Sequence, residues 1–321
     1  MKIKNILYVF LLINIVMVTD IHAMEQPNEQ QQTEQPSRRV YPSNLPLLFL
    51  SGCLKNAESC LSWLPTELIV EIIKHTREIT WKIQNGEYLL KAIESDNKDK
   101  IKQLLNERYI DIHVKDDFGH TALHWAAMKV NPEIVQILLD NGANPNIQDY
   151  DGYTALHWAI RKNNPEIVQM LFDKDANLDI QNNDGYTGLH WAVRYNNREI
   201  VQMLLDKGAN SNIKDRDGRT PLMWASCKND PEIVQMLLDK RANPNIQAKD
   251  GWTALIWAVI YDKLEIVQML LDNGANPNIE NNNGYTALIC ARGRKNQKII
   301  KILEDYASKE DKKLQINCII A

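Results

Sequence analysis

The chain of 321 residues lacks nearly every short signature of catalysis. No two glycines are separated by one residue, which excludes a Gly-x-Gly-x-x-Gly nucleotide cradle, and no glycine precedes a lysine, which excludes a P-loop. Cys-x-x-Cys, His-Glu-x-x-His and Gly-x-Ser-x-Gly are missing too, removing the commonest redox, zinc-protease and hydrolase readings. Five cysteines, at 53, 60, 227, 290 and 318, are too few for a dense disulfide framework. Cys53 and Cys60 could pair in an oxidising compartment, which spacing alone does not establish. There is no Asn-x-Ser/Thr site. Basic charge is not in excess: 37 Lys and Arg face 41 Asp and Glu, a formal charge of −4, which argues against a nucleic-acid binder. The apolar run from Ile6 to Val18 is broken by Asn14 and falls short of the ~20 residues that span a bilayer.

What the chain has instead is repetition. Gly-x-Thr recurs at an interval of 33 residues, at Gly119, Gly152, Gly185, Gly218, Gly251 and Gly284. Each copy opens a near-identical sentence, as in Thr154-Ala-Leu-His-Trp-Ala-Ile followed by Pro165-Glu-Ile-Val-Gln-Met-Leu. A period of 20–50 residues means stacked supersecondary units rather than one globular core.

The unit at 151–183 can be read physically. Thr154 is a good N-cap, so a short helix is expected from Ala155 to about Arg161, with Leu156, Ala159 and Ile160 on one face. Asn164 then caps a second helix with Pro165 at its first position, where a missing N–H costs nothing. Its apolar stripe is Ile167, Val168, Leu171 and Phe172. Asn197-Arg198 and Lys263-Leu264 depart from this start. A left-handed residue should end the second helix: Gly142, Gly208 and Gly274 suit it, whereas Asp175 and Arg241 should cost on the order of 1 kcal/mol.

The repeat resembles the ankyrin family, whose unit carries T-P-L-H-x-A, a second helix ending in Leu-Leu, and Gly-Ala-Asp before a hairpin. The resemblance implies an all-α solenoid, each unit a helix-turn-helix plus a β-hairpin loop, that binds a partner protein without turnover and without a cofactor. Residues 87–118 look like a degenerate first repeat, with Leu90, Ile101, Leu104 and Leu105 near repeat positions. Six full repeats span 119–308. The last has Cys290 where five others have Trp, and its second helix turns lysines outward, as a C-terminal cap should; a charged tail, 309–321, follows.

Before the repeats, residues 1–23 read as a secretory signal, with Lys2 and Lys4, an apolar run, and Ile21-His22-Ala23 as cleavage site. Cleavage would remove two lysines and Asp20, moving the charge from −4 to −5 and leaving no stable membrane span. The protein is thus expected to be exported, and to act as a monomer. Residues 24–44, rich in Glu, Gln and Pro, should form a disordered spacer. Leu50-Ser51-Gly52-Cys53 resembles a bacterial lipobox, but it lies far from the start and its flanks do not fit an export signal. Within the helical segment 45–86, Leu64-Pro65-x-Glu67-Leu68 leading to Ile72 is similar to the opening of an F-box. That resemblance implies that Leu64, Pro65, Leu68 and Ile72 dock an adaptor of a host ubiquitin ligase. The segment is too short for a whole F-box, which favours an amphipathic helix covering the open end of the solenoid.

Candidate functional residues follow from helical geometry. With Leu156 on the core face, Trp158 and Lys162 point away from helix two. The Trp column at 125, 158, 191, 224 and 257 should line the inner side, as contact surface or as stacked filler. Aromatic and arginine side chains dominate binding hot spots. The resemblance places partner contacts at the hairpin tips and the end of helix one, here Tyr150, Tyr153, Tyr186, Tyr195, Arg216, Arg219, Trp252 and Tyr261. The alternative is that the tyrosines brace adjacent hairpins. His120 and His124 have a metal-like spacing, but a structural site needs four converging ligands. His124, His157 and His190 match the family's histidine, whose role would be hydrogen bonding between turn and neighbour. No metal is expected.

Overall fold

The local grammar of the repeat builds helices in pairs. The computed structural model of the protein describes residues 86–107 and 110–320, the side chains of 309–320 excepted. These residues fall in one unit, Val70–Ala321. The signal, spacer and F-box-like segments lie outside the described residues.

The helices are α1 (residues 86–94), α2 (Lys98–Leu105), α3 (Ala122–Met128), α4 (Pro132–Asp140), α5 (Ala155–Arg161), α6 (Pro165–Phe172) and α7 (Gly188–Arg194). They continue as α8 (Arg198–Asp206), α9 (Pro221–Cys227), α10 (Pro231–Asp239), α11 (Ala254–Ile260), α12 (Leu264–Asp272), α13 (Ala287–Arg294) and α14 (Gln297–Ile320). From α3 onward the odd helices stack on one another, the even helices do the same, and each pair packs internally. No strand occurs among the described residues.

The first helix of a repeat starts at threonine. At Thr121, Thr154 and Thr187 the threonine and the histidine three residues on form a reciprocal capping box. The second helix starts at an Asx residue; Asn164 Oδ1 accepts from the Ile167 N–H at 2.8 Å. Lys263 offers no side-chain cap, so α12 begins with its amides unanswered by a cap residue. Asp175 and Arg241 are left-handed, as expected, with φ of 57° and 63°. A second left-handed column separates the paired helices at Val130, Asn163, Asn196 and Asp262; the β-branched Val130 is the most strained of these.

The core is continuous from Leu89 to Leu303, each layer of Leu, Ile, Val and Ala covered by the next repeat. In the first, degenerate repeat, Leu89 and Ile93 are fully buried, whereas Leu90 and Leu105 only flank the core. At the other end Ile299 and Leu303 of α14 close the stack, and the backbone stays helical through 309–320, the stretch expected as a tail. No helix among the described residues is long and apolar enough to cross a membrane.

Candidate protein-binding surface

The hairpins are tight turns organised by one Asx side chain. Asp149 Oδ1 accepts the N–H groups of Asp151 (3.0 Å) and Tyr153 (2.8 Å), and the Asp149 N–H donates to the Tyr153 carbonyl at 2.8 Å. Asp116, Asn182, Asp215 and Asn281 do the same in their hairpins. In the remaining hairpin the residue is Ala248, and Asp250 Oδ1 accepts from the Trp252 N–H instead. Sequence reasoning missed this column, although Asp-x-x-Gly was its signal at Asp116, Asp149 and Asp215. Neighbouring hairpins are joined by one backbone bond each, as from Asn183 N–H to the Asp151 carbonyl at 3.0 Å.

The second oxygen of the same carboxylates fixes the tryptophans. Trp125 Nε1 donates to Asp116 Oδ2 (2.9 Å), Trp158 Nε1 to Asp149 Oδ2 (3.1 Å) and Trp224 Nε1 to Asp215 Oδ2 (3.0 Å). Burial works against the charge on Asp116, but the His120 and Phe118 amides and the Trp125 indole outweigh it and hold its carboxyl below the usual range. Trp191 and Trp257 have no such acceptor among the described residues. Asn182 Oδ1 is already committed to two amides and offers no second side-chain oxygen, and Ala248 has no side-chain oxygen at all.

The histidines bind repeat to repeat. In each case Nδ1 accepts from the capping threonine's N–H, at 3.0 Å for His124, 3.1 Å for His157 and 3.2 Å for His190. Their Nε2 atoms donate to the next hairpin's carbonyl at Tyr153, Tyr186 and Arg219. Both nitrogens of His124 are therefore in use. Burial pushes His124 down, and His157 and His190 down to about 4, so the columns are neutral imidazoles. Met223 and Ile256, which replace histidine in the next two repeats, forgo that bond but stay buried.

The proposed contact residues divide into two sets. Tyr153 and Tyr186 are wedged between tryptophans: Tyr153 lies 5.5 Å from Trp158 and 5.8 Å from Trp191, and Tyr186 lies 5.4 Å from Trp191 and 5.9 Å from Trp224. Burial raises the pKa of both phenols. Trp252 packs 4.8 Å from Trp257, and Arg219 lies over Trp224 and Trp257. These four are half-buried. Tyr150, Tyr195, Arg216 and Tyr261 are exposed, Tyr150 to 59%. Tyr195 and Tyr261 stack on Trp191 and Trp257, extending the ring column outward.

Two further residues belong to this surface. Arg161 lies 4.6 Å from the Trp158 ring and 5.3 Å from the Trp191 ring, and Arg194 lies 5.3 Å from Trp191 and 5.6 Å from Trp224. Each arginine thus bridges two repeats by cation–π contact. Trp-x-x-Arg on a helix was the available signal, since residues three apart share a face. Arg161 and Tyr195 also line an open groove of about 460 Å³ between the second and third full repeats. The inner helices α3, α5, α7, α9, α11 and α13 contain no Asp or Glu, while Lys162, Lys228 and Lys295 cap or follow them.

The arrangement has counterparts. The family model described as ankyrin repeats matches the chain three times, over residues 89–182, 174–248 and 227–315. Among solved structures, the ankyrin repeat domain of Bcl-3, a unique member of the IkappaB protein family, is similar with a TM-score of 0.62 at 33% identity. That match covers 67% of this chain and 97% of the other. No curated protein matched the sequence.

Proposed function

The chain belongs to the ankyrin-repeat family, and from that premise we propose a protein-interaction scaffold without turnover that binds its partner on the hairpin and helix-one face. One observation carries the reading: the exposed rings of Tyr195 and Tyr261 stack on Trp191 and Trp257 of the braced Trp, Tyr and Arg column, and Tyr150 stands exposed at a hairpin tip. Rigid aromatic rings lose little side-chain entropy on binding, and a braced floor costs no reorganisation. The outer helices repeat Glu-Ile-Val-Gln-Met-Leu almost unchanged and offer less to discriminate partners.

The test is capture of a partner by residues 24–321, compared with a Tyr150→Ser, Tyr195→Ser, Tyr261→Ser variant. The exposed positions are chosen because truncating wedged Tyr153, Tyr186 or Trp252 would disturb the fold itself. A partner bound by the parent and lost by the folded variant supports the reading; one retained moves the site off this face.

We extend the proposal to export, on the strength of the leader at 1–23, and expect the mature chain to begin at Met24. An adaptor role for Leu64, Pro65, Leu68 and Ile72 is the alternative, supported by the F-box-like residues. It requires a co-purifying ligase subunit that Leu64→Ala with Leu68→Ala releases.

A further inference from the structure

Arg161 and Arg194 are held by aromatic rings and by nothing else. The Arg161 guanidinium lies 4.6 Å from the Trp158 ring and 5.3 Å from the rings of both Trp191 and Tyr153. Arg194 lies 5.3 Å from Trp191, 5.6 Å from Trp224 and 5.9 Å from Tyr186. Ring contact uses the charge of a guanidinium but leaves its five N–H donors unspent. Neither arginine has a hydrogen-bond acceptor or a carboxylate partner among the described residues. Arg198, Arg216, Arg219, Arg292 and Arg294, by contrast, each have a carboxylate within 4.0 Å.

The fold does not require a cation at this place. The same last position of the inner helix holds Met128 in α3, Cys227 in α9 and Ile260 in α11. The surroundings suit an anion instead. α5 and α7 carry no acid, and the exposed Lys162 follows Arg161. Arg161 lines the open groove of about 460 Å³, whose walls include Asn163, Tyr195 and Arg198 but no Asp or Glu. One water needs roughly 10–15 Å³ of such space, so a carboxylate-tipped side chain fits. Arg198 is already committed to Asp230 and Glu232, which leaves Arg161 as the groove's unspent cation. The hairpin acids nearby are committed too. Asp149 and Asp215 hold amides and indoles, Asp184 pairs with Arg216 at 3.8 Å and Asp217 with Arg219 at 3.7 Å. Asp151 is exposed at its tip and pairs with neither arginine.

We propose that Arg161 and Arg194 form a two-rung receptor for an acidic segment of the partner protein. One Asp or Glu side chain enters the groove and pairs with Arg161, and a second pairs with Arg194. The rings behind each guanidinium hold it in place, so the planar fork meets a carboxylate with little loss of side-chain freedom. The inference rests on the hairpin and helix-one face being the binding face, and narrows the partner to one presenting acidic residues there.

The experiment follows the arginine Nε–H resonances of the purified protein, assigned through Arg161→Lys and Arg194→Lys. The probe is an acetylated Ser-Glu repeat peptide, with a Ser-Gln repeat as control. The Glu peptide shifts both arginine signals and the Gln peptide shifts neither. Arg161→Gln with Arg194→Gln weakens binding of the Glu peptide by about tenfold or more, the loss expected for charge-assisted hydrogen bonds. If that variant folds poorly, the two lysine substitutions serve, because they keep the charge but lose the fork and still weaken binding. Shifts confined to other arginines, equal shifts with the Gln peptide, or none with either peptide overturn the acidic-segment receptor. The wider binding face fails separately, if the Tyr150, Tyr195 and Tyr261 variant still captures the partner.

Discussion

His157 Nε2 donates to the carbonyl of Tyr186 at 3.1 Å, tying the first helix of one repeat to the hairpin of the next. The same ring accepts from Thr154 through Nδ1, so it must be neutral to do both. Burial keeps it so, and holds His157 and His190 near 4 against an ordinary value of 6.5.

Stability should therefore depend on acid in a defined window. With the folded value depressed, the unfolded chain takes up protons first as pH falls below about 6.5. Stability is full above that value and declines toward pH 4, by roughly 1.4 kcal/mol per pH unit per buried histidine. Urea midpoints measured at pH 7 and pH 4.5 should differ, and His157→Met with His190→Met should flatten the difference. Met223 already occupies the equivalent place at 1% exposure.

The signature glycines should not be equivalent. All are left-handed, but a Cβ on Gly185 would lie 2.6 Å from the Arg216 backbone N, and one on Gly251 would lie 2.6 Å from Asn282 N. At Gly284 no atom of the described residues stands closer than 3.9 Å. Gly284→Ala should cost only the backbone term, about 1 kcal/mol. Gly185→Ala should cost distinctly more, because the next hairpin must move. Equal losses of Tm would refute hairpin contact as the reason.

Asn182→Asp should stabilise the protein at neutral pH. It replaces an amide NH₂ with the acceptor oxygen that Asp116, Asp149 and Asp215 offer their tryptophans. The expected gain is about 1 kcal/mol, with the Trp191 indole N–H newly protected from exchange. A fall in Tm would show that Trp191 is satisfied in another way.

Lys263→Asn should also stabilise. Lys263 begins α12 without a side-chain cap, whereas Asn131, Asn164, Asn197 and Asp230 each accept from the amide three residues on. Restoring a cap is worth about 1 kcal/mol, and chemical denaturation measures it directly.

Much of the fold was legible in the chain because its causes are local. Thr154 and Asn164 start helices through their own neighbours, Pro165 fits a first turn, and the left-handed Asp175 and Arg241 were marked by the absence of glycine. The interval of 33 residues determined the architecture, since each unit buries its apolar face only by stacking on the next. The identity of the binding residues was not local. Tyr153 and Tyr195 were both candidate contacts, yet the first is clamped between Trp158 and Trp191 and the second stacks on Trp191 alone with its other side exposed. Arg161 joins the surface because two tryptophans 33 residues apart come within reach of one guanidinium. Residues 29 or 33 positions apart meet after the repeats stack, so only the tertiary structure could decide which rings support and which reach out.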